Sequence, residues 1–156
     1  MKGLLIYASL LLGIVLQGCT QSFTLKDVDY TQHLESVLEP EADGTVVDIR
    51  HGIQFNVLPL QFEELGDSSQ VTIREIRVIR DSDGWYYLTA GSFRHVYVME
   101  PQRRALKLRR KVKVSDSGLI EPAFNARVPY VVLLDHSLSG QLVVTPNGIK
   151  QKEKQS

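Results

Sequence analysis

From Thr45 onward the chain alternates apolar and polar residues with period two. Successive side chains of an extended chain point to opposite faces, so this alternation marks strands that bury one face. It predicts strands over 45–50, 53–58, 71–80, 84–90, 93–100, 105–114, 119–124, 128–135 and 141–145. Turn-forming clusters separate several of them: Asp81-Ser82-Asp83-Gly84, Ser115-Asp116-Ser117-Gly118, Ser137-Leu138-Ser139-Gly140 and Pro146-Asn147-Gly148. Pro122 and Pro129 lack a backbone donor, so their strands are edges or begin there. Residues 60–69 carry two apolar positions, Phe62 and Leu65, among acids, and read as a loop or a single helical turn. Ahead of the strands, Tyr30, Leu34, Val37 and Leu38 recur at helical spacing behind Asp29 and Gln32, which suit a capping box, and Pro40 stops the run. An extended tether is the alternative for this segment. Short strands with no second helix predict a mainly β fold, an antiparallel β-sandwich or barrel-like domain with one short N-terminal helix.

The N-terminus has a different pattern. After Lys2, the 13 residues Leu4–Leu16 carry no charge. That length suits the apolar region of an export signal and falls short of the ~18–20 residues of a membrane span. A buried helix or strand is the plainer alternative. The run ends in Leu16-Gln17-Gly18-Cys19, which resembles the lipobox of bacterial lipoproteins. Gln17 departs from the small residue usual at that position. The resemblance implies cleavage between Gly18 and Cys19, a diacylglyceryl thioether on Cys19, and an N-acyl chain on the new amine. Each buried methylene contributes about 0.8 kcal/mol, so two or three chains anchor stably where one would not. Thr20, rather than Asp, follows the cysteine, which by the two-membrane sorting rule implies the outer membrane and a domain facing the periplasm. The expected organisation is a removed signal peptide (1–18), a lipidated tether with the short helix (19–44), a β-rich domain (45–149) and a disordered tail (150–156).

Composition narrows the function classes. With 43% hydrophobic and 23% charged residues, the 156-residue chain fits one globular domain and not a collagen, a disordered tail or a multi-span membrane protein. Cys19 is the single cysteine, so a mature domain has no thiol for catalysis, disulfides or a metal cage. The net charge of zero is a cancellation. Residues 19–70 hold two cations and ten acids, a formal charge of −8, and residues 71–156 hold fifteen cations and eight acids, a formal charge of +7.

The cations concentrate near 103–113. On a regular strand, Leu106, Leu108, Val112 and Val114 point one way and Lys107, Arg109, Lys111 and Lys113 the other, with Arg110 interrupting the apolar face. This stripe would bind an anionic glycan, lipid or acidic partner. As a ligand site it requires the four cations to be exposed together and not neutralised by acids of the same domain. The plain alternative is a solvated face that protects an edge strand. A third is internal pairing with the acids of 35–48. Around Ala90-Gly91-Ser92, a three-residue loop would put Trp85, Tyr87, His95 and Tyr97 on one face, either a sugar-stacking ladder beside Arg94 or, more often, core.

Other chemistry is thin. His33, His51, His95 and His136 lack metal-ligand spacing, and aligning Gly84 with a calcium-loop glycine puts Ile79 at the first ligand position. Neighbouring Asp135-His136-Ser137 on a strand would face opposite ways and form no relay. An enzyme would require a cleft in which His95, His136 or a carboxylate gains an acid or base partner. No catalytic residue, metal, nucleic acid or cofactor beyond the acyl groups on Cys19 is expected. The expected role is a lipid-anchored adaptor or structural subunit among other envelope proteins. The alternative is a module that binds anionic lipid or polysaccharide through the basic strand.

Overall fold

A computed structural model describes residues 34–150. The signal segment, Cys19, the expected tether through residue 33 and the tail from 151 lie outside the described residues.

Over the described residues the fold is mainly β and is built from three antiparallel sheets and one short helix. The central sheet has five strands, β1 (Ser36–Leu38), β4 (Ile76–Arg80), β5 (Tyr86–Ala90), β6 (His95–Gln102) and β7 (Ala105–Lys113), side by side in that order. A second sheet runs β11 (Gly148–Lys150), β10 (Leu142–Thr145), β9 (Tyr130–Leu134) and β8 (Ala123–Arg127). The third is the hairpin β2 (Thr45–Asp48) and β3 (Ile53–Asn56), followed by helix α1 (Leu58–Leu65). The sheets do not close into a barrel.

Alternation explains the layering. Ile79, Tyr87, Val96, Val98 and Val112 project from one face of the central sheet and pack against Phe124, Val131, Leu133 and Val144 of the second sheet. Ile76, Val78, Tyr86, Leu88 and Tyr97 project from the other face and pack with Val46 and Val57, joined by Ile53, Phe55 and Leu60. The central sheet is therefore covered on both sides. Its strand Tyr86–Ala90 is buried at every position and alternation is lost there, as two-sided burial requires; its one buried polar residue, Thr89, donates its hydroxyl to the His95 carbonyl.

Several features differ from the sequence expectation: the strands expected from 71 and 119 begin only at Ile76 and Ala123, and Lys150, expected in the disordered tail, lies in β11 and pairs with Val143. The expected helix behind Asp29 does not extend over 36–38, where Ser36-Val37-Leu38 form β1 and pair with Val78, Arg77 and Ile76. Ladder bonds to β4 and burial of Ser36 against the hairpin outweigh the weak helical spacing of so short a segment. Among the described residues, a helix lies at 58–65, where the sequence predicts a loop or single turn. Asn56 Oδ1 accepts the Leu58 N–H, Pro59 sits in the first turn, and Gly66 ends the helix at φ 79° with its N–H on the Phe62 carbonyl.

The expected turns form. Asp81 Oδ1 accepts the N–H groups of Asp83 and Trp85 while Oδ2 accepts the Tyr87 hydroxyl, so this carboxylate is used as turn chemistry. Pro129 lies in the two-residue link between β8 and β9, and β8 is the edge of its sheet. Asp135 ties the segment before β8 to the end of β9. It accepts the N–H groups of Ile120, Glu121 and Ser137 and the Ser137 hydroxyl.

Burial alone would raise the Asp135 pKa, but these hydrogen bonds outweigh it and hold the carboxyl below its ordinary value of 3.8. A carboxyl depressed in the folded state stabilises the fold above its unfolded pKa, and this contribution fades as pH falls through the folded pKa. Asp135→Asn should therefore cost stability at pH 7 and progressively less below pH 3.8. Urea unfolding of both proteins at pH 7 and in strong acid measures this, and a penalty that does not shrink on acidification would contradict it.

Candidate functional site

Helix α1 turns its polar side inward. Gln61 is fully buried and all its hydrogen-bonding capacity is used. Its Nε2 donates to the carbonyls of Asp67 and Gln70, and its Oε1 accepts the N–H groups of Thr72 and Ile73. One side chain thus holds the whole 66–73 connection. Glu64, one turn later, is buried against β6. Its carboxylate accepts the Arg94 N–H at 2.8 Å, the His95 Nδ1–H at 2.8 Å and the Tyr97 hydroxyl at 2.8 Å. Burial first, and then the hydrogen bond to Glu64 and its charge, push the Tyr97 hydroxyl far above the usual phenol range, so it remains a donor. On the rim, Glu63 pairs with Lys111, whose ammonium holds the Glu63 carboxyl below its ordinary value.

The apolar side of α1 faces outward as a consequence. Phe62 is 59% exposed and Leu65 is 43% exposed. With half-buried Leu58 they fall at i, i+4 and i+7, one stripe of a helix. An apolar stripe on a surface helix ordinarily faces the core, so this orientation is inverted.

The basic strand divides into two faces. Residues 110–113 pair with 95–98 and residues 105–108 with 99–102, so Arg109 is an extra residue at a β-bulge. Lys111 and Lys113 sit opposite Tyr97 and His95, on the helix side of the sheet. Lys107 sits opposite Glu100 and, like Arg110 opposite Val98, points to the other side. The single stripe of Lys107, Arg109, Lys111 and Lys113 expected from regular alternation does not form. Lys111 is paired with Glu63, and Lys113 lies 2.6 Å from Asp116 in an exposed pair. The acids that meet these lysines come from α1 and the following turn, not from 35–48. Glu35 instead joins the two large sheets, with Arg77 at 3.3 Å and the Phe124 N–H at 2.7 Å.

The aromatic ladder is also rearranged. Leu88 lies opposite Tyr97 and Tyr87 opposite Val98, so Tyr87 and Tyr97 occupy opposite faces, each fully buried in its own core. The three-residue loop is absent because Gly91–Arg94 form a longer connection clamped to 114–119. Ser92 N–H donates to Leu119 O, Leu119 N–H to Phe93 O and Val114 N–H to Arg94 O. The pairing shifts by an odd number of residues, which reverses the facing.

Three histidines gain carboxylate partners, His51 among them. His95 does so through Glu64, and His136 lies 3.5 Å from Glu121 in an exposed contact. Glu64 and His95 line none of the three main clefts, whereas His136 and Glu121 both line an open cleft of about 420 Å³. Ser36, Asp48 and His51 also converge. His51 Nδ1 is 2.6 Å from Asp48 Oδ2, and the Ser36 hydroxyl donates to Asp48 Oδ1 at 3.1 Å. A hydrolytic relay needs serine and carboxylate on opposite imidazole nitrogens. Here both lie on the Nδ1 side, so this cluster ties β1 to the β2–β3 hairpin. The sequence reading missed this trio, since its members come from β1, the end of β2 and the following turn. Among the described residues, no group of three or more His, Cys, Asp or Glu is arranged to hold a metal ion.

No family model matches the chain, and neither a curated protein nor a solved structure matches it.

Proposed function

We propose that the protein is an outer-membrane-anchored lipoprotein that serves as a non-enzymatic adaptor or structural subunit of a cell-envelope assembly, with α1 as its docking face. The anchor reading rests on Leu16-Gln17-Gly18-Cys19 behind an uncharged run. The observation that carries the adaptor reading is the outward apolar stripe of α1. Its polar side is consumed by the buried hydrogen bonds of Gln61 and Glu64, so the helix is fixed to the sheet while Phe62 and Leu65 face solvent. Large apolar side chains grouped on one exposed face suit a protein partner. The alternative, an anionic ligand on the basic strand, has less support because the bulge splits the cations and acids of the same domain take two of them.

Cross-linking in intact cells tests both parts. Phe62→Asp/Leu65→Asp should abolish cross-linked partners recovered with the wild-type protein, without reducing palmitate labelling or the urea midpoint. Cys19→Ser should abolish the labelling and leave an uncleaved precursor. An unchanged partner set in the helix variant would overturn the docking face, and unchanged labelling and processing in Cys19→Ser would overturn the anchor.

A further inference from the structure

The β2–β3 hairpin and the β6–β7 hairpin share the core on one face of the central sheet. Between them lies a cleft of about 650 Å³ that plays no part in the adaptor reading. This volume is within the ~300–1,000 Å³ that ordinarily hold one small molecule. Phe55 and Leu60 form one wall, Met99 and Leu106 the other, and the edge-on pair of His51 and Tyr86, 5.8 Å between ring centroids, lies at the inner end. The ladder runs from Met99, opposite Tyr86, to Arg103 and Arg104 at the hairpin tip. Four residues of strand are roughly 13 Å, so the apolar lining at Met99 and the two arginines at the tip bound the same cleft about that far apart, with Gln54, Asn56 and Gln102 also in its lining.

The charge of the lining is one-sided. Arg103 and Arg104 are both exposed, and neither forms an ion pair among the described residues. No Asp or Glu lines the cleft. A cationic pair that only protected a strand edge would need no apolar cleft behind it, and a cleft that only filled the core would not open onto unpaired guanidinium groups. A carboxylate suits such a mouth, because guanidinium offers planar paired donors to it.

We infer that this cleft binds a free single-chain fatty acid, its acyl chain along Phe55, Leu60, Met99 and Leu106 and its carboxylate at Arg103 and Arg104. The inference stands apart from the docking role of α1, since the cleft and the stripe share neither Phe62 nor Leu65.

Photolabelling of the full chain in its membrane tests it. The probe is an alkyne-tagged fatty acid carrying a diazirine in the acyl chain, with labelled peptides identified by mass spectrometry. Labelling should fall on the peptides that contain residues 51–60 and 99–106. Excess dodecanoate should compete at least tenfold better than dodecanol. Arg103→Glu/Arg104→Glu should reduce labelling at least tenfold, whereas Lys107→Glu/Arg109→Glu, an equal change of charge beside the cleft, should leave it within twofold. Equal competition by the alcohol, an equal loss in both charge-reversal variants, or label spread over the surface without competition would each overturn the inference. So would unchanged labelling in Arg103→Glu/Arg104→Glu. Because the readout is the labelled peptide and not partner recovery, the adaptor reading can fail while this one holds, and the reverse.

Discussion

Glu64→Ala should lower the stability of the domain by about 3–5 kcal/mol, the range for removing one member of a buried, hydrogen-bonded charged group. The carboxylate is fully buried and serves three donors, the Arg94 N–H, the His95 ring and the Tyr97 hydroxyl. Alanine removes the shared acceptor of all three. The fully buried Tyr97 hydroxyl is the costliest, because no water reaches it. Glu64→Gln keeps an acceptor but brings a donor toward one of these donors, and should cost about 1–3 kcal/mol. Urea unfolding followed by the fluorescence of Trp85, which packs against the second sheet's core, measures both. The mechanism makes a sharper demand on the pair. Tyr97→Phe removes the orphaned hydroxyl, so it should cost clearly less in the Glu64→Ala background than in the wild type. Additive effects would show that the hydroxyl does not depend on Glu64.

Gly118→Ala should cost about 2–4 kcal/mol for a different reason. Gly118 has φ 98°, a region that L side chains rarely adopt. A Cβ built there would lie 2.8 Å from the Ser92 carbonyl oxygen. The obstacle is backbone, and that backbone is itself constrained. Ser92 holds φ 69° and its N–H donates to Leu119. Strained dihedrals and overpacking each cost about 1–3 kcal/mol. The same substitution at Gly140, where a Cβ meets nothing within 4 Å, should change stability far less. Equal urea midpoints for the two variants would contradict this account.

These two sites mark where the sequence could and could not be read. The strands with one buried face were legible, because alternation records which side meets the core. Helix α1 was not, because its inward residues are Gln61 and Glu64, and a search for an apolar inward face skips them. Pro59 near the start of the eight-residue helix and Gly66 just past its end were the available signals. The bulge left a trace in Arg109-Arg110, the doublet that breaks alternation. One extra residue there keeps Leu106 and Leu108 on the face of Met99 while Val112 reaches the opposite core. The facing of Tyr87 and Tyr97 was not readable, since it depends on contacts between 90–94 and 114–119 that no local pattern encodes. The cleft escaped for a similar reason: one wall comes from β3 and α1 and the other from the β6–β7 hairpin, far apart in the sequence.

Strand β1 has a mechanical consequence for the anchored protein. It enters the central sheet at Ser36, so on the proposed Cys19 anchor the leash is residues 20–35 rather than 20–44. At a limit of about 3.5 Å per residue, 16 residues reach no more than about 55 Å and 25 residues about 90 Å. Pulling a partner farther from the membrane than the shorter limit would require peeling β1 off β4, and with it the Ser36–Asp48–His51 cluster. On the proposed anchor, β1 would thus set how far from its membrane the folded domain can act before the sheet itself must open.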